Sequence, residues 1–338
     1  MEKFCSYPFT KVHFSVSGKV YVCCAPWLGI PIGNVFTQPF AEIWNSAEAV
    51  KIRESILDGS FRYCHADKCP RIINGHVKKE GHNRDYRNII EGKTTTLDGG
   101  PRLISLNYDN SCNLYCASCR DRVMVIDKKK QAELIRFQDS FIRSDLFKNA
   151  RRITVSGSGE IFASAVYMDL FNKIEKSMNR DLKITFRTNG LLLTPANWER
   201  VKNIHNAVDW ISISIDAASE KTYRLLRRGG DFKKLLANLE FLKELKKKNP
   251  FKVKLNFVVQ KVNYKEMPDF IMLAKKYDCD MVAFAKILNT GTFNTREYIR
   301  AAVHEPANRA HKKFKKLLNQ PIFKDPIVLL RNLANLVD

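Results

Sequence analysis

The chain has 338 residues, 45% of them hydrophobic, which is enough for one large domain and a small one. Its 57 Lys and Arg residues against 35 Asp and Glu residues give a formal charge of +22. The lysine runs are interpreted as solvated helix faces, and no aromatic-interleaved RNA-binding motif accompanies them, so nucleic acid binding is a minority hypothesis. We find no signal-peptide pattern and no uninterrupted apolar stretch of about 18 residues, which favours a cytoplasmic protein without a membrane partner.

The nine cysteines favour metal binding or catalysis over disulfides, because the cytosol keeps thiols reduced. Three of them, Cys112, Cys116 and Cys119, have the spacing Cys-x3-Cys-x2-Cys. Such a loop can offer thiolates to three corners of an iron–sulfur cube and leave the fourth iron without a protein ligand. The alternatives are a disulfide and a zinc site, but no fourth ligand stands nearby at zinc spacing.

This three-cysteine loop resembles that of the radical S-adenosylmethionine (SAM) superfamily. The resemblance implies that the open iron of a 4Fe-4S cluster chelates the amino and carboxylate groups of SAM. It further implies reductive cleavage of SAM to a 5′-deoxyadenosyl radical that takes a hydrogen atom from the substrate. An electron donor such as flavodoxin or ferredoxin is then expected as a partner.

Beyond Pro101, strand-like runs alternate with longer amphipathic segments, a pattern typical of β/α units around a parallel sheet. Strands are predicted over 103–107, 152–155, 183–186, 210–215, 252–259 and 281–285, and the clearest helix over 232–248. Six such units fit the partial (β/α)6 TIM barrel, of the α/β class, that the resemblance implies for residues 101–289. Active-site residues are then expected at the carboxyl ends of the strands.

Residues 1–75 contain five cysteines and are predicted to form a small loop-rich domain. A hairpin is expected over 12–16 and 19–22 around Ser17-Gly18, and a helix over 40–57. The region resembles the SPASM/twitch auxiliary-cluster domains of many radical SAM enzymes in four segments: Gly18-x4-Cys23, Ile32-Gly33-Asn34-Val35, Glu42-Ile43-Trp44-Asn45 and Cys64-x4-Cys69.

This second resemblance implies that four thiolates hold one auxiliary 4Fe-4S cluster, those of Cys5, Cys23, Cys64 and Cys69. Cys24 is the alternative to Cys23, although the Gly-x4-Cys spacing favours Cys23. The chain departs from the family because the domain precedes the barrel and has cysteines for only one cluster. A structural zinc site that uses three or four of these cysteines, with or without His65, is the alternative.

Four segments of the barrel resemble the SAM-contacting segments of the superfamily. Segment 156–160, Ser-Gly-Ser-Gly-Glu, resembles a glycine-rich motif near the methionine amino group, although it departs from the usual Gly-Gly-Glu form. Segment 188–190 and the fourth strand resemble segments with polar groups that contact the ribose, and segment 222–230 resembles one whose arginine meets the SAM carboxylate. The SAM-binding residues implied are Gly157, Gly159, Glu160, Asn189, Ser212, Ser214 and Arg227.

The remaining segments carry no chemistry of their own. Residues 76–100 are predicted to be a linker, and residues 290–338 are expected to pack on the open side of the barrel or to cover the substrate mouth. Cys279 is predicted to be a small packing residue.

The sequence thus favours a radical SAM enzyme whose auxiliary cluster assists oxidation or epimerisation of a small polar metabolite, such as a sugar or cyclitol. The alternative is a maturase of a ribosomally made peptide, which is less favoured because no winged-helix leader-binding domain stands before Cys5. A zinc-containing protein that binds nucleic acid is the third hypothesis. No catalytic side chain is singled out.

Overall fold

The computed structural model describes residues 2–175, 178–289 and 291–337. The predicted domain boundaries at residues 1, 290 and 338 lie outside the described residues. Across the described residues the strands form one sheet in the order β10-β9-β8-β7-β6-β5-β4-β1-β2-β3. The strands are β1 (Lys11–Phe14), β2 (Lys19–Tyr21), β3 (Gly33–Asn34), β4 (Leu103–Leu106), β5 (Arg152–Val155), β6 (Lys183–Thr188), β7 (Val208–Ser214), β8 (Lys252–Val259), β9 (Met281–Lys286) and β10 (Val328–Leu329).

Strands β4 to β9 are parallel neighbours in chain order, so the predicted (β/α)6 partial barrel is confirmed. Their ends differ from the predicted ones by at most two residues. Burial alternates along them, most clearly in β8, where Val253, Leu255 and Phe257 are buried and Lys254 and Asn256 are partly exposed. Because successive side chains point to opposite faces of the sheet, the apolar face packs in the hydrophobic core and the polar face lines the inside of the barrel.

Helices connect consecutive strands of the barrel and cover its apolar face. The described α-helices are α1 (Tyr7–Thr10), α2 (Phe40–Trp44), α3 (Ala47–Leu57), α4 (Pro70–Ile73), α5 (His76–Gly81), α6 (Arg87–Glu91), α7 (Lys128–Arg143), α8 (Asp145–Lys148), α9 (Ala165–Lys173), α10 (Pro195–Glu199), α11 (Glu220–Leu226), α12 (Phe232–Lys246), α13 (Met267–Lys276), α14 (Thr295–Ala301) and α15 (His311–Leu318). Short 3-10 helices lie at Arg84–Tyr86, Ile161–Ala163, Lys202–Ala207, Tyr264–Glu266, Pro321–Lys324 and Arg331–Leu336. None of the helices in the described part of the chain is long and apolar enough to span a membrane.

The N-terminal region extends the barrel sheet. Strand β1 pairs in parallel with β4, from Lys11 opposite Leu103 to Phe14 opposite Leu106, and β2 pairs antiparallel with β1. The predicted hairpin is therefore present, and Gly18 at its turn has a φ of +78°. A Cβ there would lie 2.3 Å from the Phe36 ring, so the turn requires glycine.

The single helix predicted over 40–57 is wrong, because the structure has two helices, α2 and α3. Ser46 separates them: its side chain accepts a hydrogen bond from the Ala49 amide and caps the start of α3. A serine in this role ends one helix and begins the next, because its hydroxyl satisfies an amide that has no partner within the helix.

Residues 76–100 contain helices α5 and α6 and pack on the N-terminal region. The Phe4 amide donates to the Val77 carbonyl at 2.8 Å, and Val77 is buried beside Phe4. Trp44 donates its indole N–H to the Gly99 carbonyl at 2.7 Å. The division of the chain into domains stays a prediction.

The C-terminal segment packs against the last strand of the barrel. Strand β10 pairs in parallel with β9, with Val328 opposite Val282. The Asn332 side chain accepts a hydrogen bond from the Lys286 amide at 2.9 Å, which anchors the residues that follow β10. Cys279 lies in the hydrophobic core at 7% exposure, which confirms it as a packing residue.

Candidate functional site

A cavity of about 450 Å³ lies at the carboxyl ends of the barrel strands. All three cysteines of the Cys-x3-Cys-x2-Cys loop line it. Six of the seven residues predicted to bind SAM line it as well: Gly157, Gly159, Asn189, Ser212, Ser214 and Arg227. The seventh, Glu160, lies behind the wall and is fully buried. The fold thus brings together segments that are more than 100 residues apart in the chain.

The cysteine loop is closed by its own backbone. Cys112 and Met124 exchange amide–carbonyl hydrogen bonds of 2.8 and 3.2 Å across an isolated bridge. The Tyr115 amide donates to the carbonyl of Arg228, and the Ala117 amide to that of Leu226. These two bonds fix the loop to the end of α11, which also carries Arg227, and so hold this arginine beside the cysteines.

The glycine-rich segment after β5 allows the cysteine loop to approach closely. A Cβ on Gly159 would lie 2.5 Å from the carbonyl oxygen of Ser111 and 2.9 Å from that of Asp109. Ser156 has a φ of +67°, a left-handed conformation that is uncommon for a residue with a side chain. Arg120 ties the two segments together because it donates to the Asn110 carbonyl at 2.7 Å and also to the Ser158 carbonyl. Backbone groups rather than side chains therefore form this wall.

Glu160 supports the wall from behind. Its carboxylate accepts hydrogen bonds from the Thr188 hydroxyl at 2.7 Å and from the Asn189 amide at 2.6 Å. Burial raises the pKa of Glu160 to about 7, and these hydrogen bonds oppose the rise. Asn189, which Glu160 orients, donates to the Asn113 side chain at 2.8 Å and so joins the end of β6 to the cysteine loop.

Arg227 forms a buried ion pair at the cavity wall. Its Nη2 lies 2.7 Å from Oδ2 of Asp216, with side-chain exposures of 13% and 7%. Its Nη1 lies 3.6 Å from the Cys116 sulfur, and its Nε is buried without a hydrogen-bond partner among the described residues. Burial raises the pKa of Asp216, and the Arg227 charge opposes that rise. Arg228 is exposed and does not line the cavity.

Strands β7 and β8 contribute neutral polar groups to the cavity. Asn256 donates to the Ser212 hydroxyl at 2.8 Å and to the Ile213 carbonyl at 3.1 Å. Ser214 lines the cavity one layer above Ser212 on the same strand face. These groups suit the hydroxyls of a ribose or of a similar polar molecule.

The four cysteines predicted to bind the auxiliary cluster line a second, apolar pocket. Cys5, Cys23, Cys64 and Cys69 all lie at its walls, whereas Cys24 lines the large cavity. Trp27 contributes to both pockets and so lies between them. The structure therefore groups Cys23, rather than Cys24, with the other three cysteines.

The chemistry of this donor set fits a metal cofactor. Burial, followed by the neighbouring Cys5 and Cys69, raises the pKa of Cys64 to about 12, and burial with its neighbours also raises that of Cys23. Four thiolates in one apolar pocket, three of them on buried cysteines and Cys64 partly buried, are unfavourable unless a cation binds them. No three His, Cys, Asp or Glu side chains among the described residues form the ligand set of a single metal ion. A four-iron cube does not need such a ligand set, because each of its thiolates binds a different iron.

Sequence reasoning missed the cations that line the large cavity. Lys11, Arg187, Lys254 and Arg331 face it from β1, β6, β8 and the residues after β10. The place of Lys254 was predictable, because it alternates with the buried apolar residues of β8 and so falls on the polar face that lines the inside of the barrel. No local pattern marks Arg331, whose place depends on the pairing of β10 with β9.

A model of the radical SAM superfamily matches residues 106–274, half of the chain, and one of the iron-sulfur cluster-binding SPASM domain matches residues 5–70. A GTP 3′,8-cyclase of Clostridium botulinum (strain Okra / Type B1) is 25% identical over 56% of this chain and 57% of its own length. An AdoMet-dependent heme synthase of Methanosarcina barkeri (strain Fusaro / DSM 804) is 26% identical over 62% of this chain and 57% of its own length. The chain thus spans less than two thirds of the curated relatives it matches.

Among solved structures, Streptococcus suis SuiB is similar at 16% identity and a TM-score of 0.43, over 77% of this chain and 56% of that chain. With the family models matched on the segments that carry the two cysteine sets, the cofactors are 4Fe-4S clusters and SAM. This chain belongs to the radical SAM superfamily and carries an N-terminal SPASM domain.

Proposed function

We propose that this enzyme holds its SAM-reactive cluster with Cys112, Cys116 and Cys119 and acts on a small polar metabolite. The observation that carries the proposal is that the cysteine loop and the predicted SAM-binding strand ends line one cavity. When bound, a 4Fe-4S cluster with an open iron supplies the electron that cleaves SAM to a 5′-deoxyadenosyl radical, which abstracts a substrate hydrogen atom.

The cavity residues bind and orient SAM. The backbone of Gly157 and Gly159 approaches the methionine amino group, and Asn189, Ser212 and Ser214 hydrogen-bond the ribose. Arg227 donates to the SAM carboxylate, and Asp216 holds this guanidinium in place through the 2.7 Å ion pair. Glu160 positions Thr188 and Asn189 from behind the wall.

The auxiliary cluster is held by Cys5, Cys23, Cys64 and Cys69. These four thiolates saturate one cube, so the cluster has no iron free to bind SAM and serves as a redox group. Trp27 lies in the wall between this pocket and the cavity, so the redox group stands next to the substrate. This arrangement supports an oxidation or an epimerisation of the substrate.

The neutral and cationic lining of the cavity favours a small polar substrate over an apolar one. The two relatives named above bear names that refer to GTP and to heme, which are small molecules. A mass-spectrometric comparison of a cell extract before and after incubation with enzyme, SAM and reductant tests this point. A changed metabolite supports the proposal, whereas a changed peptide with no changed metabolite contradicts it.

Production of 5′-deoxyadenosine tests the catalytic assignment. Anaerobically reconstituted enzyme with dithionite, in place of flavodoxin or ferredoxin, should form it from SAM, and Cys116→Ala should not. Cys279→Ala is the matched control, because Cys279 lies in the core and lines neither site. Equal production by Cys116→Ala and Cys279→Ala would refute the assignment of the cluster.

A further inference from the structure

Three cations from separate segments line the cavity. Arg187 extends from β6, Lys254 from β8, and Arg331 follows β10. Burial, followed by Arg187 and then Arg331, lowers the pKa of Lys254 to about 8, and burial followed by Arg187 lowers the pKa of Arg331. Each of the three charges thus lies within electrostatic range of the other two. We call these three residues the cation triad.

The cation triad has no acidic partner. Among the ion pairs of the described residues, none includes Arg187, Lys254 or Arg331. The residues that line the cavity include neither Asp nor Glu. On β1, His13 has its pKa lowered to about 4 by burial, then by Lys11 and Arg187, so the positive field extends to the adjoining strand.

The backbone of Arg331 has a strained conformation. Its φ is +36°, a conformation that residues with side chains rarely adopt. Pairing of β10 with β9 and the hydrogen bond from the Lys286 amide to Asn332 fix this conformation on either side of the residue. The guanidinium carbon lies 6.0 Å from the Trp27 ring centroid, so the ring also contacts the cation. Strain of this kind is typical of functional positions.

SAM does not account for the cation triad. It carries a single carboxylate, which the proposed function assigns to Arg227 on the segment after β7. Arg120 and Arg227 lie beside the cysteines and compensate thiolate charge, since Arg120 donates to the Cys119 sulfur at 3.4 Å and Arg227 to that of Cys116. Like charges that converge without a counter-ion repel one another, and a substrate anion bound between them would offset this repulsion; Arg187, whose side chain is exposed, is accessible to such an anion.

We propose that the substrate carries a phosphate ester or diphosphate group and that Arg187, Lys254 and Arg331 bind it. Two guanidinium groups and one ammonium match the several oxygens of such a group, whereas one carboxylate would leave charge uncompensated. This inference rests on the proposed function, because it names the class of the small polar substrate. The C-terminal segment then supplies a substrate-binding residue to the barrel.

Calorimetric titration of the SAM-loaded, cluster-reconstituted enzyme with inorganic pyrophosphate tests this site. Arg187→Gln and Arg331→Gln should each weaken pyrophosphate binding at least about tenfold. Arg309→Gln is the matched control, because it removes one exposed charge from the same C-terminal segment and should stay within about twofold of the wild type. Lys254→Gln provides a third variant if Arg331→Gln does not fold.

Two results would overturn the inference. One is equal pyrophosphate affinity in the wild type, the triad variants and Arg309→Gln. The other is displacement of SAM by pyrophosphate, because the triad would then serve the SAM carboxylate. Absence of 5′-deoxyadenosine from the wild type would instead overturn the proposed function, and the pyrophosphate titration remains a separate readout.

Discussion

The ion pair of Arg227 with Asp216 gives a double-mutant cycle that separates SAM binding from folding. Because both side chains are largely buried, Arg227→Gln leaves the Asp216 carboxylate without its cation. Breaking such a pair from one side costs about 3 to 5 kcal/mol of unfolding free energy. SAM binding is affected separately: loss of the charge-assisted hydrogen bond to the SAM carboxylate weakens the binding free energy by roughly 1.5 to 3 kcal/mol, which is about 10- to 150-fold in SAM affinity.

Asp216→Asn is the matched second change. Asparagine tolerates the φ of +64° at this position and retains an oxygen to accept the Val258 amide, which now donates to Asp216 at 2.7 Å. The double variant contains neither charge, so it should recover more than half of the stability lost in Arg227→Gln. SAM affinity should not recover, because the cation that meets the carboxylate is still absent.

Chemical denaturation gives the stabilities, and equilibrium dialysis with labelled SAM gives the affinities. Arg228→Gln is the control, because that side chain is exposed and outside the cavity. If the double variant regains SAM affinity together with stability, Arg227 acts through folding alone and the carboxylate binds elsewhere. If Arg228→Gln loses SAM affinity instead, the assignment is off by one residue.

Three further variants probe the wall, the cation triad and the auxiliary pocket. Gly159→Ala places a methyl group against backbone oxygens of the cysteine loop and should lower the free energy of unfolding by about 1 to 3 kcal/mol and reduce the iron content. Gly99→Ala, which has open space around it, should change neither quantity. Burial and the neighbouring arginines lower the pKa of Lys254 to about 8, so its charge is lost as pH rises through this value; from pH 7 to 9 the pyrophosphate affinity of the wild type should therefore fall relative to that of Lys254→Arg, which keeps its charge, and equal pH profiles would contradict this. Cys64→Ala with Cys69→Ala should retain 5′-deoxyadenosine formation but lose product, and an unchanged product yield would exclude a redox role for the pocket.

The order of the barrel strands was predictable because each β/α unit has a local pattern. Apolar alternation in β8 and the leucine stripe of α12 place strand and helix without reference to the rest of the chain. The cysteine spacing and the glycine-rich segment were equally local, and the structure brings them to one cavity as expected.

Contacts between distant segments were not predictable. The pairing of β1 with β4 joins Lys11 to Leu103 across more than 90 residues, and its register has no local signal. Arg331 reaches the cavity only because two residues of β10 pair with β9. The break at Ser46 was missed for another reason, since the apolar spacing continued across a residue that caps the second helix.

The iron content of purified, anaerobically reconstituted protein tests the central claim of two separate cluster sites most directly. Two ligand sets that each hold a four-iron cube predict about eight irons per chain in the wild type. Cys116→Ala should retain about four irons, in the auxiliary pocket, and Cys64→Ala with Cys69→Ala about four, in the barrel loop. Stoichiometric zinc in place of iron, or loss of all iron in both variants, would contradict the account.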